Sequence, residues 1–163
     1  MNEFEFSDFR ERFTIVRMQV ANWGTFSNIH DIRISDRGHL FVGGSGSGKS
    51  TLLDAVSALL SPKASYFNAA ARQGERRSDR TFVSYIRGAW SSEQDKEGKA
   101  TVKYLREGST FSLIALTFSS EQQVVTLLFI GYVQGRGKDE RDVRKRYCNV
   151  NIKSSKCFRL FEQ

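Results

Sequence analysis

The stretch that decides the fold is Leu40-Phe41-Val42-Gly43-Gly44-Ser45-Gly46-Ser47-Gly48-Lys49-Ser50-Thr51. An apolar run leads into glycines that alternate with serine, and a Lys-Ser-Thr step then opens an amphipathic segment. Gly43, Gly48, Lys49 and Ser50 satisfy the pattern G-x-x-x-x-G-K-[ST] of a phosphate-binding loop. At average glycine usage, a chain of this length matches the pattern by chance on the order of once in a hundred or less. A flexible linker before an unrelated helix is therefore the weaker interpretation.

Each residue type in this loop has a chemical reason to be there. Glycines permit positive φ and close approach, so that successive backbone N–H groups can surround phosphate oxygens. Lys49 is a compact charge on a flexible stem that can reach β- and γ-phosphates, and Ser50 offers a hydroxyl to Mg²⁺ where the next helix begins. The predicted nucleotide-binding residues are Gly43, Gly44, Ser45, Gly46, Ser47, Gly48, Lys49, Ser50 and Thr51.

Composition describes one folded domain and leaves several partners open. The chain has 163 residues, of which 39% are hydrophobic, and a formal charge of +7. That charge is compatible with nucleic acid, an anionic membrane, a polyphosphate ligand or a merely basic surface. Cys148 and Cys157 are too few for a disulfide framework or a zinc site, so we predict reduced thiols. With no apolar run of about 18 residues and an acidic, aromatic N-terminus, we predict a cytoplasmic protein without membrane spans.

Alternation of apolar and polar residues predicts a β-hairpin before the loop. Residues 1–12 have no clean period and are predicted to be a tail, whereas residues 13–20 and 29–35 alternate as two paired strands. Residues 39–42 are predicted to form a short buried strand that leads into the glycine loop. From Lys49 the period becomes helical, and Pro62 follows where that helix should end.

The middle of the chain combines loops with a second helix. Residues 63–77 are polar and basic, which predicts a mobile loop. Asp79 is the predicted cap of a helix whose inward side chains are Phe82, Val83, Ile86 and Trp90. Residues 91–99 are charged and polar, which predicts a solvent-exposed loop.

The last third of the chain is predicted to be β-structure. Residues 101–105, 111–118 and 124–133 are the predicted strands of an antiparallel meander. A charged loop or short helix over residues 135–145 is expected to separate them from a final strand at residues 147–152.

The parts needed for hydrolysis are not found beside the loop. Hydrolysis requires an acidic residue after a hydrophobic strand to bind Mg²⁺ from the far side, and a carboxylate or glutamine to orient water. The pair Asp139-Glu140 follows Gln-Gly-Arg-Gly-Lys rather than a buried strand, and the chain has no Leu-Ser-Gly-Gly-type signature. A hairpin before the loop and a meander after it also differ from the parallel β/α alternation of small P-loop kinases and GTPases.

With these residues in view, the chain resembles the N-terminal half of an SMC-type ATPase head. The closest likeness is to the MukB-like condensins, especially the JetC subunits of bacterial Wadjet plasmid-defence systems. Four blocks carry the resemblance, which covers about residues 13–152: Asn22-Trp23-Gly24-Thr25-Phe26, the loop continuing into Leu52-Leu53-Asp54-Ala55, Phe67-Asn68-Ala69-Ala70, and Arg80-Thr81-Phe82-Val83-Ser84-Tyr85-Ile86-Arg87-Gly88-Ala89. The first block and Ser-Tyr-Ile-Arg-Gly-Ala are much more specific than the P-loop alone.

The resemblance implies an α/β fold with α+β character. The implied fold is a P-loop NTPase fold of the ABC/SMC head type, in which a mixed sheet with an antiparallel hairpin and meander surrounds the P-loop helix. Residues 13–163 would be an incomplete head lobe that ends before the coiled coil. In that family a C-terminal lobe supplies the Mg²⁺-binding Asp, the catalytic Glu and the signature motif, so ATP binding is expected and hydrolysis by this chain alone is not.

The resemblance also implies ligands, partners and further site residues. It makes residues 43–51 the ATP site, with Mg²⁺ at Ser50, and makes Gln134 a candidate contact for Mg²⁺ and the attacking water. An ordinary polar residue at a strand end is the alternative for Gln134. The implied partners are the C-terminal lobe, a second SMC-like head, a kleisin-type subunit and DNA, in a nucleoid-associated complex. Three basic residues either approach phosphates or DNA or form a solvated loop: Arg76, Arg77 and Arg80.

Two other readings remain open at this point. A non-catalytic DNA- or protein-binding module with a vestigial P-loop would bind independently of ATP, and a self-contained small P-loop kinase or NTPase would show turnover. For Trp23 and Phe26, core packing is favoured over contact with a base. His30 and His39 have no acidic or cysteine partner at ligand spacing and are given no role.

Overall fold

The architecture is a five-stranded antiparallel sheet with two helices on one face, seen in a computed structural model. The structure describes residues 12–61, Phe67, 80–94 and 100–153. The residues outside the described part of the chain include residues 1–11 of the predicted tail, Pro62, nearly all of the predicted loop at 63–77, Asp79 and Cys157. In chain order the elements are β1 Thr14–Ala21, β2 Ile29–Arg33, α1 Lys49–Leu60, α2 Phe82–Arg87, β3 Ala89–Gln94, β4 Ala100–Tyr104, β5 Thr110–Ser119, β6 Gln123–Val133, a 3₁₀ turn Glu140–Asp142 and β7 Val143–Lys153.

The large sheet has the strand order β2-β1-β5-β6-β7, and every neighbouring pair is antiparallel. The predicted hairpin before the loop is confirmed, and the strands predicted at residues 111–118 and 124–133 pair antiparallel as β5 and β6. The strand predicted at residues 101–105 as the start of the same meander is not part of this sheet. Strand β7 begins at Val143 rather than at residue 147, so the end of the predicted charged loop belongs to the sheet. The pairing from Val133 with Val143 to Gln123 with Lys153 is continuous, which explains why the charged residues extend the strand.

One face of the sheet carries the core because apolar residues recur there at every second position. Met18 of β1 lies opposite Leu116 of β5, and Ile114 lies opposite Phe129 of β6. All four are buried, and both helices contact β5 and β6. The absence of a side chain at Gly131 lets α2 approach closely, since a Cβ there would lie 2.6 Å from Ile86 Cδ1.

Trp23 is the centre of the aromatic core. Its side chain is 0% exposed, and its ring stacks on Tyr85 at a centroid distance of 4.6 Å. Edge-on contacts at 6.0–6.5 Å join it to Phe67, Phe82 and Phe129. The structure therefore confirms the interpretation of Trp23 as a core residue rather than a base contact.

The strand predicted at residues 39–42 is wrong. These residues have no strand pairing, and the side chains of Leu40 and Val42 are 81% and 80% exposed. An apolar run becomes a strand only where a neighbouring strand supplies hydrogen bonds, and none of the described strands lies beside it. The mixed sheet implied by the resemblance is not seen either, because every strand pair among the described residues is antiparallel.

A second, two-stranded sheet was not predicted. Strand β3 pairs antiparallel with β4, so residues 91–94 are strand rather than loop, and β4 does not join the β5–β7 meander. Trp90 lies in β3 with 56% of its side chain exposed, which corrects its prediction as an inward residue of the second helix. That helix ends at Arg87 because Gly88 takes φ +67° in its C-cap. Its N-cap is Thr81, which forms a reciprocal capping box with Ser84.

Arg87, in the Ser-Tyr-Ile-Arg-Gly-Ala block, is a structural residue. It is 2% exposed, and its guanidinium donates to the backbone carbonyl oxygens of Gly135, Gly137, Arg106 and Gly108. These carbonyls belong to the loops before β5 and after β6. Arg87 thus joins α2 to two loops at one end of the five-stranded sheet. One of these loops connects β4 of the second sheet to β5.

Candidate nucleotide-binding site

A cavity of about 750 Å³ opens beside the glycine loop. It is lined by residues 45–51 of the predicted site, by Thr25, by Arg80 and Tyr85, and by Trp90. Its volume is within the range of about 300–1,000 Å³ that small-molecule sites occupy. The structure therefore brings most of the predicted loop residues together with side chains from three other parts of the fold.

The loop adopts a conformation that requires glycine. Gly46 and Gly48 have φ values of +80° and +91°, in the left-handed region that other residues adopt at a cost. At Gly48 there is also no room, since a Cβ would lie 2.7 Å from the half-buried ring of Phe26. Phe26 therefore supports the loop by packing, as favoured from its sequence context.

The first turn of α1 presents its backbone N–H groups to the loop. Gly48 is the N-cap, no side chain caps this end, and the first turn contains no acidic residue. The partial positive charge of a helix N-terminus is thus not neutralised by the helix itself. Together with Lys49, it favours an anion at this position.

Gly48→Ala is expected to weaken binding of the loop's ligand by about tenfold or more, because a Cβ must displace Phe26 and strains a positive φ. Gly44→Ala is the matched control, since a Cβ there has nothing within 4 Å and no positive φ is required. Calorimetric titration of both variants with MgATP measures the difference. Equal affinities for the two variants would show that the loop conformation does not matter for binding.

Lys49 folds back over the loop. Its Nζ donates to the carbonyl oxygens of Gly43 and Gly44 at 2.6 and 2.7 Å and lies 3.2 Å from Ser47 Oγ. Gly43 and Gly44, which are not among the cavity-lining residues, therefore take part in the site by positioning this ammonium group. All three partners are neutral oxygens, and the more strongly charged oxygens of a phosphate would compete for the same protons.

A buried acid on α1 positions Arg80 at the cavity. Asp54 is 3% exposed, and its Oδ2 accepts a hydrogen bond from the hydroxyl of Tyr85 and one from Arg80 Nη1 at 3.1 Å. Burial, reinforced by Asp54, raises the pKa of Tyr85, so its hydroxyl stays a donor. Burial by itself lowers the pKa of Arg80, but Tyr85 and Asp54 outweigh that effect and raise it, which keeps the guanidinium charged.

The Asn-Trp-Gly-Thr-Phe turn connects this network to the loop helix. Trp23 Nε1 donates to the carbonyl of Thr51 at 3.0 Å, and Gly24 N donates to the carbonyl of Tyr85 at 2.8 Å. A Cβ at Gly24 would lie 2.5 Å from Thr51 Cγ2. The Asn-Trp-Gly-Thr-Phe segment thus packs between α1 and α2. These contacts fix the position of the N-terminal end of α1 relative to Tyr85.

The residues present fit a nucleotide with its magnesium ion. The loop supplies backbone donors and Lys49, and the Ser50 hydroxyl is a hard oxygen ligand, while Mg²⁺ usually takes its remaining ligands from phosphates and water. Within the described part of the chain, no three His, Cys, Asp or Glu side chains are grouped as a metal site. Gln134 is exposed beyond the end of β6 and does not line the cavity, so its role stays a prediction.

Comparison with known families supports this site. Residues 15–74 match the model of a family described as the P-loop containing region of AAA domain. The match includes nearly all of β1, together with β2, the glycine loop and α1, and it supports a P-loop NTPase-type domain with nucleotide binding. Among curated proteins, none matches the chain. Neither of the described helices has the length and hydropathy of a membrane span.

Sequence reasoning missed three residues of this site. Asp54 lies four residues after Ser50 on α1, a spacing that places both on one helix face, and this was the available signal. Tyr85 and Trp90 gave no such signal because they reach the cavity through tertiary packing. Of the basic residues considered, Arg80 lines the cavity, whereas Arg76 and Arg77 lie outside the described residues.

Proposed function

We propose that this chain is the ATP-binding N-terminal lobe of an SMC-like, DNA-organising ATPase of the MukB/Wadjet kind. The observation that carries the proposal is the glycine loop with Lys49, placed between an antiparallel hairpin and an antiparallel meander. The Asn-Trp-Gly-Thr-Phe turn and the Ser-Tyr-Ile-Arg-Gly-Ala block, on which the resemblance depends, meet through the hydrogen bond from Gly24 to Tyr85. That contact supports a shared structural purpose for the two blocks.

The exposed segment before the loop supports a partner lobe. Leu40 and Val42 are apolar and almost fully exposed, and they directly precede the glycine loop. A C-terminal lobe that adds a strand here would bury both side chains and supply the missing hydrogen bonds. In the intact complex, we propose that this lobe also brings the Mg²⁺-binding acid and the catalytic glutamate, and that a second head, a kleisin-type subunit and DNA complete the assembly.

MgATP titrated into the purified chain by calorimetry is expected to give saturable one-site binding without turnover. Binding follows from the loop, Lys49 and Ser50, whereas hydrolysis needs a second acidic ligand and a residue that orients water. Phosphate release measured on the same sample should equal that of buffer. No heat of binding at millimolar MgATP would overturn the proposal.

Two alternatives have distinct outcomes in the same experiment. Steady ATP turnover by the purified chain would favour a self-contained P-loop kinase or NTPase. A DNA-binding module with a vestigial loop is favoured by the exposed Arg144 and Arg146 on the edge strand β7. This DNA-binding alternative predicts an affinity for DNA that falls steeply as the salt concentration rises and does not respond to ATP. Exposed charges also protect sheet edges from pairing, which is the structural explanation of the same residues.

A further inference from the structure

Trp90 is the one large aromatic side chain that is both exposed and part of the cavity beside the glycine loop, among the residues that the structure describes. From this position we infer that Trp90 is the stacking platform for the base of the bound nucleotide. The ligand class is then a nucleoside triphosphate, with purines favoured by their larger faces, rather than a bare polyphosphate. This inference rests on the proposed function, since it presumes that the loop binds the phosphates.

The two tryptophans of the chain have opposite environments. Trp23 is 0% exposed and surrounded by aromatic rings, whereas Trp90 is 56% exposed. An exposed indole is not needed by the core, and an apolar ring in a cavity gains most by contact with another flat ring. Base–aromatic stacking accepts every base because each has a π-face.

A β-bulge places Trp90 at the cavity. Ala89 pairs with Tyr104 and Ser91 pairs with Lys103, so Trp90 is the extra residue that has no partner across the strand pair. Bulges redirect a side chain relative to regular alternation and occur often beside functional sites. Lys103 lies with its Nζ 5.8 Å from the centroid of the Trp90 ring, a cation–π contact that adds positive charge near the cavity.

The lining of the cavity also combines the chemical groups that a nucleotide requires. Lys49, which reaches β- and γ-phosphates in loops of this kind, lines the cavity together with Thr51 in the first turn of α1. Trp90 and Val102 supply aromatic and apolar surface within the same cavity. A ligand with a polyanionic end and a flat apolar end matches this combination.

The test compares two ligands in three variants by calorimetry. Trp90→Ala is expected to weaken MgATP binding by about 5- to 100-fold, Trp90→Phe by less than about threefold, and neither should change the affinity for magnesium tripolyphosphate. Phe111→Ala is the matched control, because Phe111 is an exposed aromatic that does not line the cavity. Fluorescence gives an independent readout: MgATP should quench the emission of Trp90, tripolyphosphate should not, and Trp90→Phe should abolish the quenching.

The outcomes separate this inference from the proposed function. Unchanged MgATP affinity in Trp90→Ala, or quenching that persists in Trp90→Phe, overturns the platform while ATP binding itself stands. No binding of either ligand to the unsubstituted chain overturns the proposed function. If circular dichroism shows that Trp90→Ala is unfolded, the quenching experiment on the unsubstituted chain and on Trp90→Phe still decides.

Discussion

Replacing Lys49 by alanine is expected to weaken MgATP binding by roughly 30- to 150-fold, the equivalent of about 2–3 kcal/mol. The substitution removes the only side chain of the glycine loop that carries a positive charge, and with it charge-assisted hydrogen bonds to the β- and γ-phosphates. The stability of the fold should change little, because the contacts of Lys49 are with loop oxygens at an exposed position. Calorimetry and thermal unfolding together measure the two effects.

The control for the Lys49 variant is Lys138→Ala, which removes an exposed lysine from the loop after β6. It lowers the net charge by the same amount, so that any loss caused by charge alone appears in both variants. Adenosine monophosphate is a second control, because it lacks the phosphates that Lys49 reaches. Equal MgATP affinity in the Lys49 and Lys138 variants would contradict phosphate binding by the loop and favour the DNA-binding module.

Trp23→Ala is expected to lower the free energy of unfolding by about 3–5 kcal/mol. The variant leaves a cavity among Tyr85, Phe67, Phe82 and Phe129 and deprives the carbonyl of Thr51 of its indole donor. Since small domains are stable by only about 5–15 kcal/mol, much of the total stability should be lost. Urea unfolding followed by circular dichroism measures the effect.

Two further variants divide the Trp23 effect into its parts. Trp23→Phe keeps an aromatic ring but loses the hydrogen bond to Thr51, so we expect an intermediate loss. Trp90→Ala should change stability by no more than about 0.5 kcal/mol, because this side chain is exposed. A Trp23→Ala variant as stable as Trp90→Ala would falsify the assignment of Trp23 to the centre of the core.

Predictions from the sequence were most accurate where the signal is local. The alternation over residues 13–20 and the helical period from Lys49 depend on neighbouring residues, and β1 and α1 form as predicted. The same is true of the glycine loop, whose positive φ values at Gly46 and Gly48 follow from a pattern that requires them. Phosphate chemistry could therefore be predicted from nine consecutive residues.

Predictions failed where the outcome depends on distant partners. Residues 39–42 have the composition of a buried strand, but no described strand lies beside them to pair with. Residues 101–105 were expected to continue the meander, whereas β4 pairs with β3 instead. A strand pattern predicts that a segment will be extended, and it does not name the segment with which it pairs.

The local sequence thus determines the glycine loop and the helix that follows, and it predicts phosphate binding there, because backbone conformation and side-chain chemistry depend on adjacent residues. Tertiary structure alone brings Tyr85 and Arg80 to Asp54 and places Trp90 at the cavity. The cluster of Asp54, Arg80 and Tyr85 depends on packing between segments that are about 30 residues apart. The position of Trp90 depends on a bulge in the pairing of β3 with β4. Both are contacts between segments that are far apart in the chain, and their formation depends on which surfaces the whole fold buries.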